Sequence, residues 1–290
     1  MNEYVIITDS SCDLPETTAK KFEISAVPLS VFVDEKKYTN YLDGREISST
    51  KFFELLRQGK KVTTCAANII DFENTMKHFL SLGKDILYLG FSSALSCTYS
   101  TGFTAADKLK EEYPNRKIYT IDTLCASLGQ GLLVYLASLE KQSGKTIEEV
   151  RDFVENLKLK ICHWFTVDSL QHLKNGGRIS AATAIIGGLL NIKPIMHMDN
   201  NGKLVATGKI RGRKASIDEL FNKVKSKGTN ISEQSVFISH GDCEKDAKYL
   251  ADNLKDQLKV KNILINNVGP VIGSHSGPGT LAVFFIGDSR

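Results

Sequence analysis

DILYLGFSSALSCTYS, residues 85–100, is the stretch on which the architecture turns. Asp85 to Phe91 reads as an apolar strand, as expected for one covered on both faces. It passes through Ser92, Ser93 and Ser96 into Thr98 to Glu112, which reads as a helix. A buried strand, a hydroxyl-rich turn and a helix form the unit that doubly wound sheets repeat. Working outward, the rhythm recurs. Tyr4 to Ile7 and Ala26 to Val33 read as strands, and Pro15 is placed to open a helix between them. Thr50 to Arg57 and Ile69 to Leu82 carry apolar residues at helical spacing, with Gly59 and Gly83 just past their ends. Arg116 to Ile121 reads as a strand and Ser127 to Lys141 as a helix. Thr146-Ile147-Glu148-Glu149 is a capping box that opens one more. The first half is therefore expected to be a parallel sheet with helices on both faces.

After about residue 160 the rhythm changes. Lys193 to Met198 and Lys203 to Ile210 are strand-like runs around Asp199-Asn200-Asn201-Gly202, a hairpin signal. Helices are expected at Lys214 to Lys227 and Glu244 to Leu258. Strands are expected near Val236 to Ser239, Ile263 to Asn266 and Leu281 to Ile286. The fold class is α/β in two domains, residues 1–160 with the parallel sheet and 161–290 with a mixed, partly antiparallel one.

The chain has 290 residues, 42% hydrophobic and 24% charged, the balance of a soluble globular protein. A formal charge of +4 with both signs interspersed gives no case for nucleic acid. No apolar run reaches the roughly 20 residues that span a bilayer. The N-terminal Met1-Asn2-Glu3-Tyr4 lacks the basic region of a signal peptide. Six scattered cysteines form no C-x-x-C pair, so reduced thiols and a cytoplasmic location are expected.

Three loops carry short hydroxyls at element ends: Thr8 to Asp13, Thr63 to Asn68 and Ser92 to Ser96. Each alone is ordinary capping chemistry; together they could converge on one anion. The second half supplies cations beside glycine in Gly176-Gly177-Arg178, in Arg211-Gly212-Arg213-Lys214 and in the Gly-rich turn Ser274-His275-Ser276-Gly277. Their bland reading is a set of solvated basic turns. There is no P-loop, no complete dinucleotide fingerprint and no metal-ligand spacing, so no cofactor is expected. Gly90-Phe91-Ser92-Ser93-Ala94 approximates the nucleophile elbow of a serine hydrolase. The rival reading is thus an esterase or thioesterase with Ser92 or Ser96 as nucleophile and His275 as base.

These pieces, in this order over the whole length, resemble the DegV family of bacterial fatty-acid-binding proteins. The carrying segments are Thr8-Asp9-Ser10-Ser11 with Asp13, Ser92-Ser93 with Leu95 to Tyr99, and Leu173 to Ser180. Lys193-Pro194-Ile195, Arg211 to Lys214, His240-Gly241, Gly269 to Gly273 and His275 to Gly279 continue the match. The resemblance implies a Rossmann-like first domain and a long-chain fatty acid such as palmitate between the two domains. It implies carboxylate contacts from Thr64 and Ser96, with Ser93, Arg178, Arg211 and His275 around the carboxylate or a later phosphate. It further implies a non-catalytic carrier that serves a separate ATP-binding fatty acid kinase on the way to phospholipid, with transient membrane contact in that class. Two departures lie beside the expected site: Cys65-Ala66-Ala67-Asn68 where the family has Ser-Gln-Pro-Ser, and Cys97 where it has glycine.

Overall fold

Apolar runs and capped amphipathic segments alternate along the chain as strands and helices. The computed structural model describes residues 3–179 and 191–290; Ser180, the end of one quoted motif, lies outside them. In chain order the first elements are β1 (Tyr4–Asp9), α1 (Glu16–Lys21), β2 (Ser25–Val27), β3 (Leu29–Val33), β4 (Lys36–Asn40), α2 (Ser49–Arg57) and β5 (Val62–Cys65). There follow α3 (Ile69–Ser81), β6 (Asp85–Gly90), α4 (Thr98–Glu112), β7 (Ile118–Asp122), α5 (Ser127–Gln142) and α6 (Ile147–Leu157). The second half holds β8 (Ile161–Thr166), α7 (Gln171–Asn175), β9 (Ile192–Met198), β10 (Leu204–Arg211), α8 (Arg213–Lys227) and β11 (Ser235–His240). The remainder is α9 (Glu244–Leu258), β12 (Asn262–Asn267), α10 (Pro270–Ser276) and β13 (Leu281–Ile286). Both bonds of the capping box at Thr146 and Glu149 are formed.

Among the described residues the strands form three sheets. The first is all parallel in the order β2-β1-β6-β7, the Rossmann-like layer. The second is mixed, in the order β10-β9-β8-β13-β11-β12, with only β11 and β12 parallel. The third, β4-β3-β5, is antiparallel and was not expected. It arises because the single strand read over Ala26 to Val33 is broken at Pro28, which has no N–H to give a ladder. Residues before the break pair with β1 and residues after it leave for the third sheet.

The segment Ser127 to Val134 of α5 is buried on every side. A helix that is apolar all round needs cover all round, and α5 has it: β1 on one flank, and β8, β11 and β13 on the other. The largest apolar cluster therefore crosses residue 160, joining Leu14, Leu128 and Leu132 to Phe165, Phe237 and Phe284. Among the described residues no helix is long and apolar enough to cross a membrane.

Candidate functional site

β5 alternates between half-buried and exposed residues, and the period of two turns Thr64 inward. Its Oγ1 lies 2.8 Å from Nε2 of His275. That histidine sits in the last turn of α10, a helix where a Gly-rich turn was expected. Pro270 starts the helix, Asp13 Oδ1 accepts from the Gly269 N–H at 3.0 Å, and Gly277 at φ 81° ends it. His275 Nδ1 has no hydrogen-bond partner among the described residues. Burial, with the Arg178 cation beside it, pushes the imidazole down to about 4, so it is neutral near pH 7.

Arg178 follows α7 through Gly177, whose φ of 70° calls for glycine. The guanidinium donates from Nε to the Leu95 carbonyl at 3.0 Å and from Nη1 to the Gly176 carbonyl. No carboxylate pairs with it among the described residues. Burial lowers its pKa, and it stays a cation. Ser96 follows Leu95 in the loop before α4. Its Oγ lies 2.8 Å from Thr98 Oγ1 and accepts from the Thr98 N–H at 3.2 Å. Thr64, His275, Arg178 and Ser96 are thereby linked through neighbouring contacts, although they come from four separate elements or loops.

All four line one cavity of about 350 Å³, within the ~300–1,000 Å³ of small-molecule sites. The rest of its wall is mainly apolar and includes Phe91, Leu95, Phe165, Leu173, Met198 and Ile272. Of its other polar members, the Ser276 hydroxyl has no hydrogen-bond partner among the described residues, while His163 and Ser127 are engaged elsewhere. His163 Nδ1 meets the Ile161 carbonyl at 2.9 Å, and Nε2 accepts from the Ala126 N–H at 3.3 Å. Ser127 donates to Asp13 Oδ2 at 2.6 Å.

Two of the candidate residues are not brought to the cavity. Ser93 is exposed, with its N–H on Asp122 Oδ1 at 3.2 Å, and Arg211 is exposed at the end of β10. Arg213 of the same motif is tied to Asp246 at 2.8 Å. Of the three hydroxyl loops, Thr63 to Asn68 and Ser92 to Ser96 reach the cavity, while Thr8 to Asp13 lies behind it as scaffold. Asp9 accepts from the Phe91 N–H at 2.9 Å, holding the serine loop, and Asp13 holds α5 and α10. Burial raises both carboxyls, Asp13 to about 7. In the sequence this segment stood out as a hydroxyl loop and as part of the family resemblance, but nothing there marked Asp9 and Asp13 as buried scaffold. Among the described residues no cluster of three metal-ligating side chains is present.

A family model described as "Uncharacterised protein, DegV family" matches residues 3–288. A DegV domain-containing protein of Clostridium perfringens is 44% identical over 290 residues, spanning 100% of this chain and 99% of the relative. A solved DegV family protein from Thermus thermophilus, described for its fatty acid binding, superposes with a TM-score of 0.87 at 30% identity. The match covers 99% of this chain and 100% of that one. DegV of Bacillus subtilis, described as a fatty acid binding protein, gives 0.85 at 26% identity over 99% and 100% of the two chains. This chain belongs to the DegV family.

Proposed function

We propose that this protein holds one long-chain fatty acid, such as palmitate, in the cavity between segments 1–160 and 161–290. The carboxylate faces Thr64, Ser96, Arg178 and His275. A separate ATP-binding kinase then phosphorylates the bound acid in the cytoplasm, and the acyl group moves on to phospholipid. The observation that carries the reading is an apolar cavity whose polar lining includes a half-buried guanidinium with no carboxylate partner among the described residues. Such a cation invites an anion. The apolar wall asks that the anion carry a tail. About 15 methylenes at roughly 0.8 kcal/mol each give on the order of 12 kcal/mol of gross burial. Each hydrogen bond to the charged head adds about 1.5–3 kcal/mol. The tail thus dominates affinity, and the polar cluster decides which end is which. Ser93 and Arg211, outside the cavity, do not hold the carboxylate in this reading.

The geometry supports a carrier over a hydrolase. Ser92 is fully buried and donates to the Gly202 carbonyl at 2.9 Å, and the Ser96 hydroxyl is engaged with Thr98. His275 meets neither serine, and no carboxylate orients it among the described residues. Mass spectrometry of lipid carried by the native protein is the direct test. A stoichiometric long-chain fatty acid is expected. Delipidated protein that takes up no palmitate would overturn the binding reading, and absence of ATP-dependent acyl phosphate formation with the kinase would overturn the partner.

A further inference from the structure

We propose that Gly176 is a positioning residue of the carboxylate site: its lack of a side chain seats the His275 ring on Thr64. This rests on the fatty acid reading above. The backbone at Gly176, with φ −75° and ψ −9°, is one that alanine adopts without strain, so conformation does not require glycine there. Space does. A Cβ at residue 176 would lie 2.1 Å from His275 Nδ1 and 3.0 Å from its Cε1. Gly177 shows the reverse, with φ 70° and nothing within 4 Å of an added Cβ.

The ring in question carries the Nε2 that lies 2.8 Å from Thr64 Oγ1, and its Nδ1 makes no hydrogen bond among the described residues. Packing against Gly176 therefore stands in for the bond that usually fixes an imidazole. With the proton on Nε2, His275 donates to Thr64 Oγ1, and the Thr64 O–H is free to donate to a carboxylate. The same residue also steadies the cation, since the Gly176 carbonyl accepts from Arg178 Nη1. Arg178 in turn reaches the carbonyl of Leu95, next to Ser96. Residue 176 is thus the point where the imidazole and the guanidinium meet one backbone unit.

The test is Gly176→Ala, with Gly208→Ala on β10, where an added Cβ meets nothing within 4 Å, as the matched control. Gly176→Ala should weaken palmitate binding roughly tenfold, the scale of one charge-assisted hydrogen bond. By NMR of the unliganded protein, its His275 should titrate above the wild-type value of about 4 as the ring leaves its buried seat. Gly208→Ala should change neither. In a His275→Ala background, Gly176→Ala should cost little more, because the clash is gone. If Gly176→Ala alone does not fold, the double variant should fold, and its failure to do so would overturn the proposal. Wild-type affinity with unmoved titration, additive losses, or lost affinity without a shift at His275 would each overturn it too. Should the wild type not bind palmitate, the functional reading falls, and the His275 titration still decides the role of Gly176.

Discussion

Thr64 and Ser96 each have a bland alternative as turn or capping residues, and their partners differ in how far they support it. Thr64 meets an imidazole from 211 residues away, which no local cap requires. Ser96 has a local partner in Thr98, so in the proposed complex its hydroxyl would have to share or exchange that bond with the carboxylate. Ser96→Ala is therefore expected to weaken palmitate binding roughly tenfold, not abolish it, because one charge-assisted bond is lost while the tail stays buried. Fluorescence titration against wild type checks this, and a loss beyond about a thousandfold in a normally folded variant would contradict the division between head and tail. At this scale the sequence was legible mainly through the family resemblance. Spacing could not bring Thr64 to His275, because that contact exists only once the third sheet packs near α10. Nor could it tell Arg178 from Arg211, since both stand beside glycine in the sequence, and it is burial that separates them.

Helix α5 shows what element-scale reasoning can and cannot read. Its length and apolar content were plain in the sequence, but not its burial on every side. The glycines on it look like weak points, since alanine is favoured in a helix by about 1 kcal/mol. Packing reverses that sign at Gly129, where a Cβ would lie 2.1 Å from His163 Nε2. That ring is buried and accepts from the Ala126 N–H, so overpacking of about 1–3 kcal/mol outweighs the propensity gain. Gly129→Ala is expected to lower stability in chemical denaturation, and a stabilised variant would show that the ring moves aside freely. Two further elements were misread for stated reasons. Pro28 splits one apolar run between two sheets, and α10 is too short, with glycine flanking both ends, to show a helical period. The polar strands β4 and β5 were not read as strands at all, for they lack the apolar alternation that marks a half-buried one.

Over the whole molecule, buried titratable groups set opposing responses to acid. His163, His172, His197, His240 and His275 are all depressed, with burial the main cause in each. For these the unfolded chain binds protons that the folded protein refuses, so stability falls as pH drops from about 6.5 towards the folded values, about 4 for His275. Asp13 has the other sign. Its folded value of about 7 against an ordinary 3.8 means that acid in that window favours the folded state, and Asp9 is raised in the same sense. The histidines are more numerous, and the thermal midpoint is expected to fall between about pH 6.5 and 4. Asp13→Asn removes one opposing group and should steepen that fall. Melting curves across the range would show it, and a shallower slope in the variant would mean that the Asp13 carboxyl is ionised in the folded protein throughout.

The place of β13 has a consequence for how the protein is assembled in time. It is the last strand in chain order, yet it pairs with β8 on one side and β11 on the other, near the middle of the mixed sheet. Its Ala282 and Phe284 form part of the cavity wall. Until that strand inserts, β8 and β11 have no common neighbour and the wall is open. Contacts this distant in sequence close slowly, because the loop entropy comes before the reward. In refolding from denaturant, helical signal should therefore return ahead of lipid capture, and capture should appear only at the rate with which the mixed sheet zips shut around its final strand.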